Sequence, residues 1–255
     1  MIPKIIHYCW MSGEPYPIKI QKCIESWKRV LPDYEIWLWD TERFDITKSV
    51  WVEEAFKARK YAFCADYLRL YALYHYGGLY LDSDVEVVKS YNDLLHLPYF
   101  IGLESKRYFE AATIGAEPYN AFIGDILKHY ENRHFISQDG EMDMVVMPEV
   151  MMKVAEGLYE IKVIKSMEEF DLSPKIINVF EYDWFSPIDS TGKRYVLRRT
   201  EHTYSIHHFA SAWVDWKVKL LVRLLGLNSP MRLRLQGFAK KACKTVRQSF
   251  SKKRV

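Results

Sequence analysis

The spacing of apolar residues in the first 40 positions predicts a strand, a helix and a second strand. Residues 4–10 form a short apolar run typical of a first, central strand. Apolar side chains recur at helical spacing from Ile20 to Trp27, which predicts a helix over residues 15–30. Residues 34–40 alternate between apolar and polar side chains and predict the second strand. A strand, a helix and a strand within ~35 residues indicate a βαβ unit and an α/β sheet.

The same patterns continue to about residue 216 and predict one α/β domain over residues 1–216. Further helices are predicted over residues 48–58, 61–76, 120–130 and 147–158, and further strands over residues 100–104, 111–116, 175–179 and 194–197. A Gly-Gly pair at Gly77 ends the helix over 61–76, because glycine readily adopts the left-handed conformation that closes a helix.

Two acids follow the short apolar strand that begins after this glycine turn. Asp82 and Asp84 are separated by one serine, and both can reach one hard cation where the strand ends. Such a cation would neutralise the charge that develops on a diphosphate leaving group. The alternative is that Asp-Ser-Asp only turns the chain after an edge strand.

A charged pair lies on the otherwise apolar helix over residues 61–76. Asp66 and Arg69 are three positions apart and therefore share a helix face. A surface ion pair of this kind contributes little to stability, about 0.5 kcal/mol. Because most of this helix is apolar, we predict that the pair lies at the rim of a cleft instead.

Residues 204–213 form a second segment rich in polar and aromatic side chains. Two adjacent histidines, His207 and His208, are followed by Ser211 and Trp213. One of the imidazoles can complete a metal sphere, the serine can add an oxygen ligand, and the indole N–H can donate to a phosphate oxygen. We therefore predict a late segment that closes over a site built by earlier strands.

Composition and cysteine spacing narrow the classes of protein. The chain has 255 residues of which 49% are hydrophobic, enough for one large α/β domain or two small ones, and no run approaches the ~20 apolar residues of a membrane span. The first residues lack the pattern of a signal peptide, so we expect the protein to remain on the cytoplasmic side, where it is made. The four cysteines show neither a Cys-X-X-Cys pair nor a zinc spacing, which favours a reducing compartment.

Charge is distributed unevenly along the chain. The segment 217–255 contains 12 Lys or Arg and no acidic residue, so residues 1–216 carry a balance of −9 within a total of +3. Leucines alternate with these cations, a pattern typical of amphipathic helices that lie on an anionic membrane surface. Docking to the acidic body or to a partner is an alternative, and nucleic acid is disfavoured because the segment lacks base-stacking aromatics.

Four ordered blocks together resemble glycosyltransferase family 32, and the same pattern is similar to the glucosylating domain of the large clostridial toxins. The blocks are IPKIIHYCW at residues 2–10, ADYLR at 65–69, YGGLYLDSD at 76–84 and HHFASAW at 207–213. The resemblance implies a GT-A fold with a mixed central sheet, a nucleotide-sugar donor, a bound Mn²⁺ or Mg²⁺, and retention at the anomeric carbon.

The resemblance also implies roles for individual residues. In the first block, His7 and Trp10 would belong to the nucleotide site, with the indole stacked on the base. Asp66 and Arg69 would hold sugar hydroxyls. Asp82 would contact the ribose, the sugar or, through water, the metal, and Asp84 would bind the metal directly. His208 and Ser211 would lie at the metal, and Trp213 would meet the β-phosphate. The toxins carry an acid at the position of His208.

These inferences together predict a retaining, metal-dependent hexosyltransferase attached peripherally to the inner face of the cell membrane. We expect a UDP-sugar as donor and a glycan or lipid-linked glycan as acceptor. The alternatives are a mannosyltransferase that uses GDP-mannose, a metal-dependent phosphohydrolase, and a membrane-associated scaffold without catalytic activity.

Overall fold

The computed structural model describes residues 1–104, 108–189 and 196–210. The described helices are α1 Ile18–Val30, α2 Val50–Lys57, α3 Tyr61–Tyr76, α4 Ala121–Lys128 and α5 Met147–Leu158. The described strands are β1 Ile5–Cys9, β2 Glu35–Trp39, β3 Gly78–Leu81, β4 Val85–Val87, β5 Tyr99–Glu104, β6 Tyr108–Ala116, β7 Glu160–Ile164, β8 Ile176–Phe180, β9 Ile188–Asp189, β10 Val196–Leu197 and β11 Ser205–His207.

A seven-stranded mixed sheet with the order β2-β1-β3-β6-β5-β8-β7 forms the centre of the fold. Strand β1 pairs in parallel with β2 and β3, whereas β6 runs antiparallel to both of its neighbours, β3 and β5. The predicted α/β class with a mixed sheet is therefore confirmed, and the architecture is consistent with a GT-A fold. The first strand is interior as predicted, but β6 rather than β1 occupies the middle of the sheet.

Apolar side chains pack on both faces of this sheet. Successive residues of a strand point to opposite faces, so Tyr80 joins one core while its neighbours Leu79 and Leu81 join the other. Helices α2 to α5 cover the first face, and α1 covers the second through fully buried Trp27. The indole of Trp27 also donates to the carbonyl of Val85, at 2.8 Å, and so anchors β4 to α1.

The described helices and strands test the elements predicted from the sequence. The helices predicted over residues 48–58, 61–76, 120–130 and 147–158 are present as α2 to α5. The pattern missed β4, β7 and β11, three strands of three to five residues. Among the described cysteines, Cys9, Cys23 and Cys64 are buried and free of disulfides.

One compact unit comprises residues 1–188 and 197–210, and it holds all the site residues described below. The predicted domain boundary at residue 216, the basic segment 217–255, Ser211 and Trp213 lie outside the described residues. None of the helices in the described part of the chain has the length and apolar character that a membrane crossing requires.

Candidate functional site

A glycine turn places the two acids of the Asp-Ser-Asp motif at the end of an interior strand. Helix α3 ends at Gly77, whose φ of 64° and ψ of −166° form a backbone conformation that is essentially restricted to glycine. Gly78 follows with φ 99°, and a Cβ there would lie 2.6 Å from the carbonyl oxygen of Ile5 on β1. Because neither glycine has a side chain, β3 can begin immediately beside β1, and Asp82 and Asp84 follow its carboxyl end.

Arg69 holds the first of these acids from helix α3. Its Nη2 lies 3.0 Å from Oδ1 of Asp82 and 3.6 Å from Oδ1 of Asp66, while its guanidinium lies over the ring of Tyr80. The hydroxyl of Tyr80 also donates to Oδ1 of Asp82, at 3.1 Å. Because Asp66 and Arg69 are both buried, the predicted pair lies within the protein rather than at an exposed rim.

Burial and charge separate the pKa values of these groups. Burial raises the pKa of Asp66 to about 7, an effect that the charge of Arg69 opposes and that of Asp82 reinforces. Burial also raises the pKa of Asp82, against the charges of Arg69 and His207. Burial alone would lower the pKa of Arg69, but its interactions with Asp82, Tyr80 and Asp66 together outweigh burial and raise the pKa, so Arg69 remains a cation.

Asp84 is held by the late segment that begins with β11. Its Oδ2 accepts the backbone N–H of Ala210 at 2.6 Å, and its Oδ1 lies 3.5 Å from Nε2 of His207. Burial alone would raise the pKa of Asp84, but the charge of His207 and the hydrogen bonds from His207 and Ala210 bring it to about 2. This carboxylate is therefore ionised at neutral pH, as a cation ligand must be.

The two adjacent histidines point to opposite sides because they follow the period of a strand. Strand β11 pairs antiparallel with β4, and this register places His207 beside Val85, close to the motif. Nε2 of His208 instead lies 2.9 Å from Oε2 of Glu86. The side chain that joins the acids is therefore His207, whereas the sequence had assigned His208 to the metal.

Asp82, Asp84 and His207 each offer one ligand atom, and these atoms lie within 4.8 Å of one another. Two carboxylate oxygens and one imidazole nitrogen suit a divalent ion such as Mn²⁺ better than a soft metal, which prefers thiolates. The described residues therefore fit the predicted cation, with His207 in the place assigned to His208. The predicted ligand Ser211 lies outside the described residues.

Two glutamates near this cluster, the buried Glu110 and the partly buried Glu104, were missed in the sequence. Glu110 on β6 is 1% exposed, and its Oε1 lies 3.3 Å from Nδ1 of His207. Burial and then the charge of Glu110 raise the pKa of Glu104, at the end of β5, to about 7. A signal was present, since Glu110 is the single acid among the nine residues of a strand that is otherwise mostly apolar.

The structure contradicts the assignment of His7 to the nucleotide site. This side chain is fully buried, its Nε2 lies 2.7 Å from the carbonyl oxygen of Gly77, and its Nδ1 accepts from the indole of Trp39 at 3.1 Å. Both ring nitrogens are therefore occupied by the protein. His7 joins β1 to the glycine turn and to β2, and cannot contact a nucleotide.

Trp10 follows β1 and remains partly exposed, as a base-stacking side chain requires. Its indole donates to the carbonyl of Glu14 at 2.6 Å, and its ring centroid lies 5.0 Å from that of Tyr16. These contacts hold the ring in one orientation. The stacking role stays a prediction, as do the roles of Asp66 and Arg69 toward a sugar.

Comparison with known families accounts for the motif at the centre of this site. A family model described as "Glycosyltransferase sugar-binding region containing DXD motif" matches residues 17–101, a range that includes Asp66, Arg69, Asp82 and Asp84. Residues 17–101 are therefore similar to the sugar-binding region of the DXD glycosyltransferases. The family resemblance seen in the sequence is thereby confirmed, whereas Glu110 and His207 lie beyond the matched range.

Curated proteins similar to this chain include fungal and viral sequences. Mannosyl phosphorylinositol ceramide synthase CSH1 of Saccharomyces cerevisiae is 31% identical over 146 residues, 53% of this chain and 38% of that protein. Inositol phosphoceramide mannosyltransferase 3 of Schizosaccharomyces pombe is 32% identical over 52% of this chain and 40% of that protein. The uncharacterized glycosyltransferase L373 of Acanthamoeba polyphaga mimivirus is 32% identical over 51% and 55%, respectively. The matches thus span about two fifths to somewhat over half of these relatives.

Among solved structures, the chain is similar to the PaToxG glycosyltransferase. The TM-score is 0.48 at 21% sequence identity, over 61% of this chain and 68% of that one.

Proposed function

We propose that this protein is a glycosyltransferase that moves a hexose from a nucleoside diphosphate sugar to a glycan or lipid-linked acceptor, with a divalent cation at Asp82, Asp84 and His207. The observation that carries the proposal is the convergence of these three side chains, from β3 and β11, within 4.8 Å. A bound Mn²⁺ or Mg²⁺ would supply charge neutralisation for the departing diphosphate.

The protein's own side chains prepare this site for an anionic donor. Asp84 provides a permanently ionised carboxylate, since its pKa is about 2. Arg69 holds the carboxylate of Asp82 in place through a partly buried ion pair, so this carboxylate loses less freedom of motion when a ligand binds. The backbone N–H of Ala210 donates to Asp84 and so connects the late segment to the motif. Ser211 and Trp213 follow Ala210 in the sequence.

Retention of configuration, which the family resemblance implies, needs either a carboxylate nucleophile or attack on the same face of the sugar. We favour same-face attack, in which the leaving phosphate takes the proton of the acceptor hydroxyl as the new C–O bond forms. A covalent glycosyl adduct trapped on any Asp or Glu would contradict this pathway.

Different observations support two different nucleotide-sugar donors. The sequence motifs favour a UDP-sugar, through their similarity to toxin glucosyltransferases. Two relatives carry the names mannosyl phosphorylinositol ceramide synthase and inositol phosphoceramide mannosyltransferase, which favour mannose, and hence GDP-mannose, together with a phosphoinositol lipid as acceptor. The protein should distinguish the two, because a base site that hydrogen-bonds one nucleobase leaves polar groups unpaired with the other.

A thermal-shift panel tests the donor and the cation together. UDP-sugars and GDP-mannose are added with Mn²⁺, with Mg²⁺ or with EDTA, and a ligand at 100 times its Kd should stabilise by about 2.7 kcal/mol. The shift should require the cation and should be lost in Asp84→Asn. The control is Asp33→Asn, which alters an exposed carboxylate paired with Lys4. A donor shift that survives in Asp84→Asn would overturn the proposed site.

The bond that is broken separates transfer from phosphohydrolysis. A glycosyltransferase, even with water as acceptor, cleaves the sugar–phosphate C–O bond and releases a nucleoside diphosphate. A phosphohydrolase cleaves the diphosphate and releases a nucleoside monophosphate and a sugar phosphate. Chromatography of the nucleotide products therefore decides between these two enzymes, and no turnover of any donor would favour the scaffold.

The basic segment 217–255 supports a peripheral attachment to the cytoplasmic face of a membrane. Its 12 cations each contribute about 1 kcal/mol near an anionic lipid surface, and its leucines can bury in the interface. The full chain should sediment with vesicles that contain phosphatidylserine and not with neutral phosphatidylcholine vesicles. Binding to neither vesicle would leave docking to the acidic body or to a partner.

A further inference from the structure

Glu110 is a buried carboxylate that its own surroundings do not satisfy. Its Oε1 accepts the backbone N–H of Ala112 at 2.7 Å, whereas its Oε2 is buried without a hydrogen-bond partner. A buried carboxylate normally has partners for its oxygens, because leaving water is costly. The unused oxygen of Glu110 therefore remains available to a further hydrogen-bond donor.

The imidazole of His207 lies between this carboxylate and the Asp-Ser-Asp motif. Its Nδ1 lies 3.3 Å from Oε1 of Glu110, and its Nε2 lies 3.5 Å from Oδ1 of Asp84. Nδ1 is also buried without a hydrogen-bond partner. Each ring nitrogen thus faces one carboxylate, at distances that a small rotation of the ring would shorten.

A second contact aligns the strands that carry the two residues. Oγ of Ser205 on β11 lies 3.3 Å from Oγ1 of Thr113 on β6, and Ser205 and His207 point to the same side of their strand. Strand β6 is the middle strand of the sheet and is hydrogen-bonded on both sides. Glu110 lies on this strand, next to the stretch where the register between β5 and β6 shifts, and Thr113 of the same strand contacts Ser205.

We propose that Glu110 is a positioning residue that orients His207 as a cation ligand. Nδ1–H of His207 donates to the carboxylate of Glu110, which directs Nε2 toward the cation held by Asp82 and Asp84. A ligating histidine commonly donates its second ring N–H to a carboxylate, which fixes the tautomer and makes the ligand more basic. This inference rests on the proposed function, because it concerns the same cation site.

The neighbouring pair of Glu86 and His208 provides a matched control. Oε2 of Glu86 lies 2.9 Å from Nε2 of His208, so this pair has the same chemistry on the other side of the strand. Glu86 is partly exposed, and its carboxylate is paired with His208. Removing its charge changes the net charge by the same amount as removing that of Glu110.

The test measures Mn²⁺ affinity of the full chain by electron paramagnetic resonance, with and without UDP or GDP. Glu110→Gln keeps an acceptor for Ala112 N–H and should weaken Mn²⁺ binding about tenfold or more. Glu86→Gln should leave the affinity unchanged. Spin-echo modulation of bound Mn²⁺ should show nitrogen coupling in the wild-type protein that His207→Ala abolishes and Glu110→Gln alters, a signature that a merely structural role would not change.

Circular dichroism and the thermal midpoint without metal verify that each variant is folded. If Glu110→Gln does not fold, Glu110→Asp takes its place, because it keeps the charge but withdraws the carboxylate from Nδ1, and the same loss is expected. Wild-type affinity and unaltered nitrogen coupling in a folded Glu110 variant would overturn the inference. Loss of affinity in Glu86→Gln and His208→Ala instead would assign the ligand to His208 and overturn it as well.

The outcomes separate this inference from the proposed function. If wild-type protein binds Mn²⁺ and Asp84→Asn does not, the cation site stands, and the Glu110 variants alone decide the positioning role. If the wild-type protein binds no Mn²⁺ under any of these conditions, the cation site and the role of Glu110 are both refuted.

Discussion

Oδ2 of Asp84 accepts the backbone N–H of Ala210 at 2.6 Å, although 126 positions separate the two residues. The contact joins the motif that follows β3 to the segment that follows β11. It explains how a late segment of the chain can contribute to a site whose acids come from its first third.

The start of β3 depends on a glycine that no other residue can replace. A Cβ at Gly78 would lie 2.6 Å from the carbonyl oxygen of Ile5, and its φ of 99° disfavours any side chain. Gly78→Ala should therefore lower the free energy of unfolding by about 2–4 kcal/mol in urea denaturation. Gly157→Ala is the control, because the space around this glycine of α5 is open. It should stabilise the helix by about 0.5–1 kcal/mol. Equal effects at the two positions would contradict the strain assigned to Gly78.

Arg69 should be essential for stability because it compensates the buried Asp66 and the partly buried Asp82. Arg69→Met leaves Asp66 and Asp82 without their cation and should cost about 3–5 kcal/mol, measured without metal. Adding Asp82→Asn should recover part of that loss. Lys57→Met breaks an exposed pair with Glu53 and should cost less than about 1 kcal/mol. An Arg69 variant as stable as the Lys57 variant would show that the buried pair contributes nothing.

The buried His7 should make the protein less stable in mild acid. Burial lowers the pKa of His7 to about 4 from 6.5 in the unfolded chain, a direction that the charge of Arg43 reinforces and the bond to Gly77 opposes. Between these values the unfolded chain binds the proton and the folded protein does not. Stability is therefore lost as pH falls from about 6.5 to 4, by about 3 kcal/mol in total from this group.

The effect of His7 is measured as a difference between urea denaturation curves collected from pH 7.5 to 4. His7→Gln should show a shallower decline than the wild-type protein, because the glutamine has no such proton to bind. His96→Gln, at an exposed position, should follow the wild-type profile. Parallel profiles for wild type and His7→Gln would show that the buried imidazole is not responsible for the pH dependence.

Trp10 tests the predicted stacking on the nucleobase. A base stacked on an aromatic ring contributes ~1–3 kcal/mol, so Trp10→Ala should weaken nucleotide binding about tenfold. Calorimetric titration with UDP and with GDP in the presence of Mn²⁺ measures this loss. Mn²⁺ affinity without nucleotide should not change. Trp37→Ala removes another partly exposed indole, on β2, and should leave nucleotide affinity as in the wild-type protein.

Much of the fold was predictable because its elements carry strong local patterns. The helix over residues 61–76 was predicted with the bounds that α3 has, since apolar residues fill it and Gly77 ends it. The strands that were missed, such as β4 and β11, have only three residues each. Strands β4 and β11 form because they pair with each other, although more than 100 positions separate them in the sequence. The residues within each strand do not indicate that pairing.

The candidate site was likewise predictable from the sequence only in part. The sequence by itself determined that Asp82 and Asp84 follow a strand and a glycine turn, because residue chemistry and local spacing suffice for that prediction. Only the tertiary structure decided that His207 rather than His208 faces these acids, that Glu110 lies next to His207, and that His7 is buried. The direction of a side chain on a strand depends on which distant strand it pairs with, and that pairing is settled by the packing of the whole sheet.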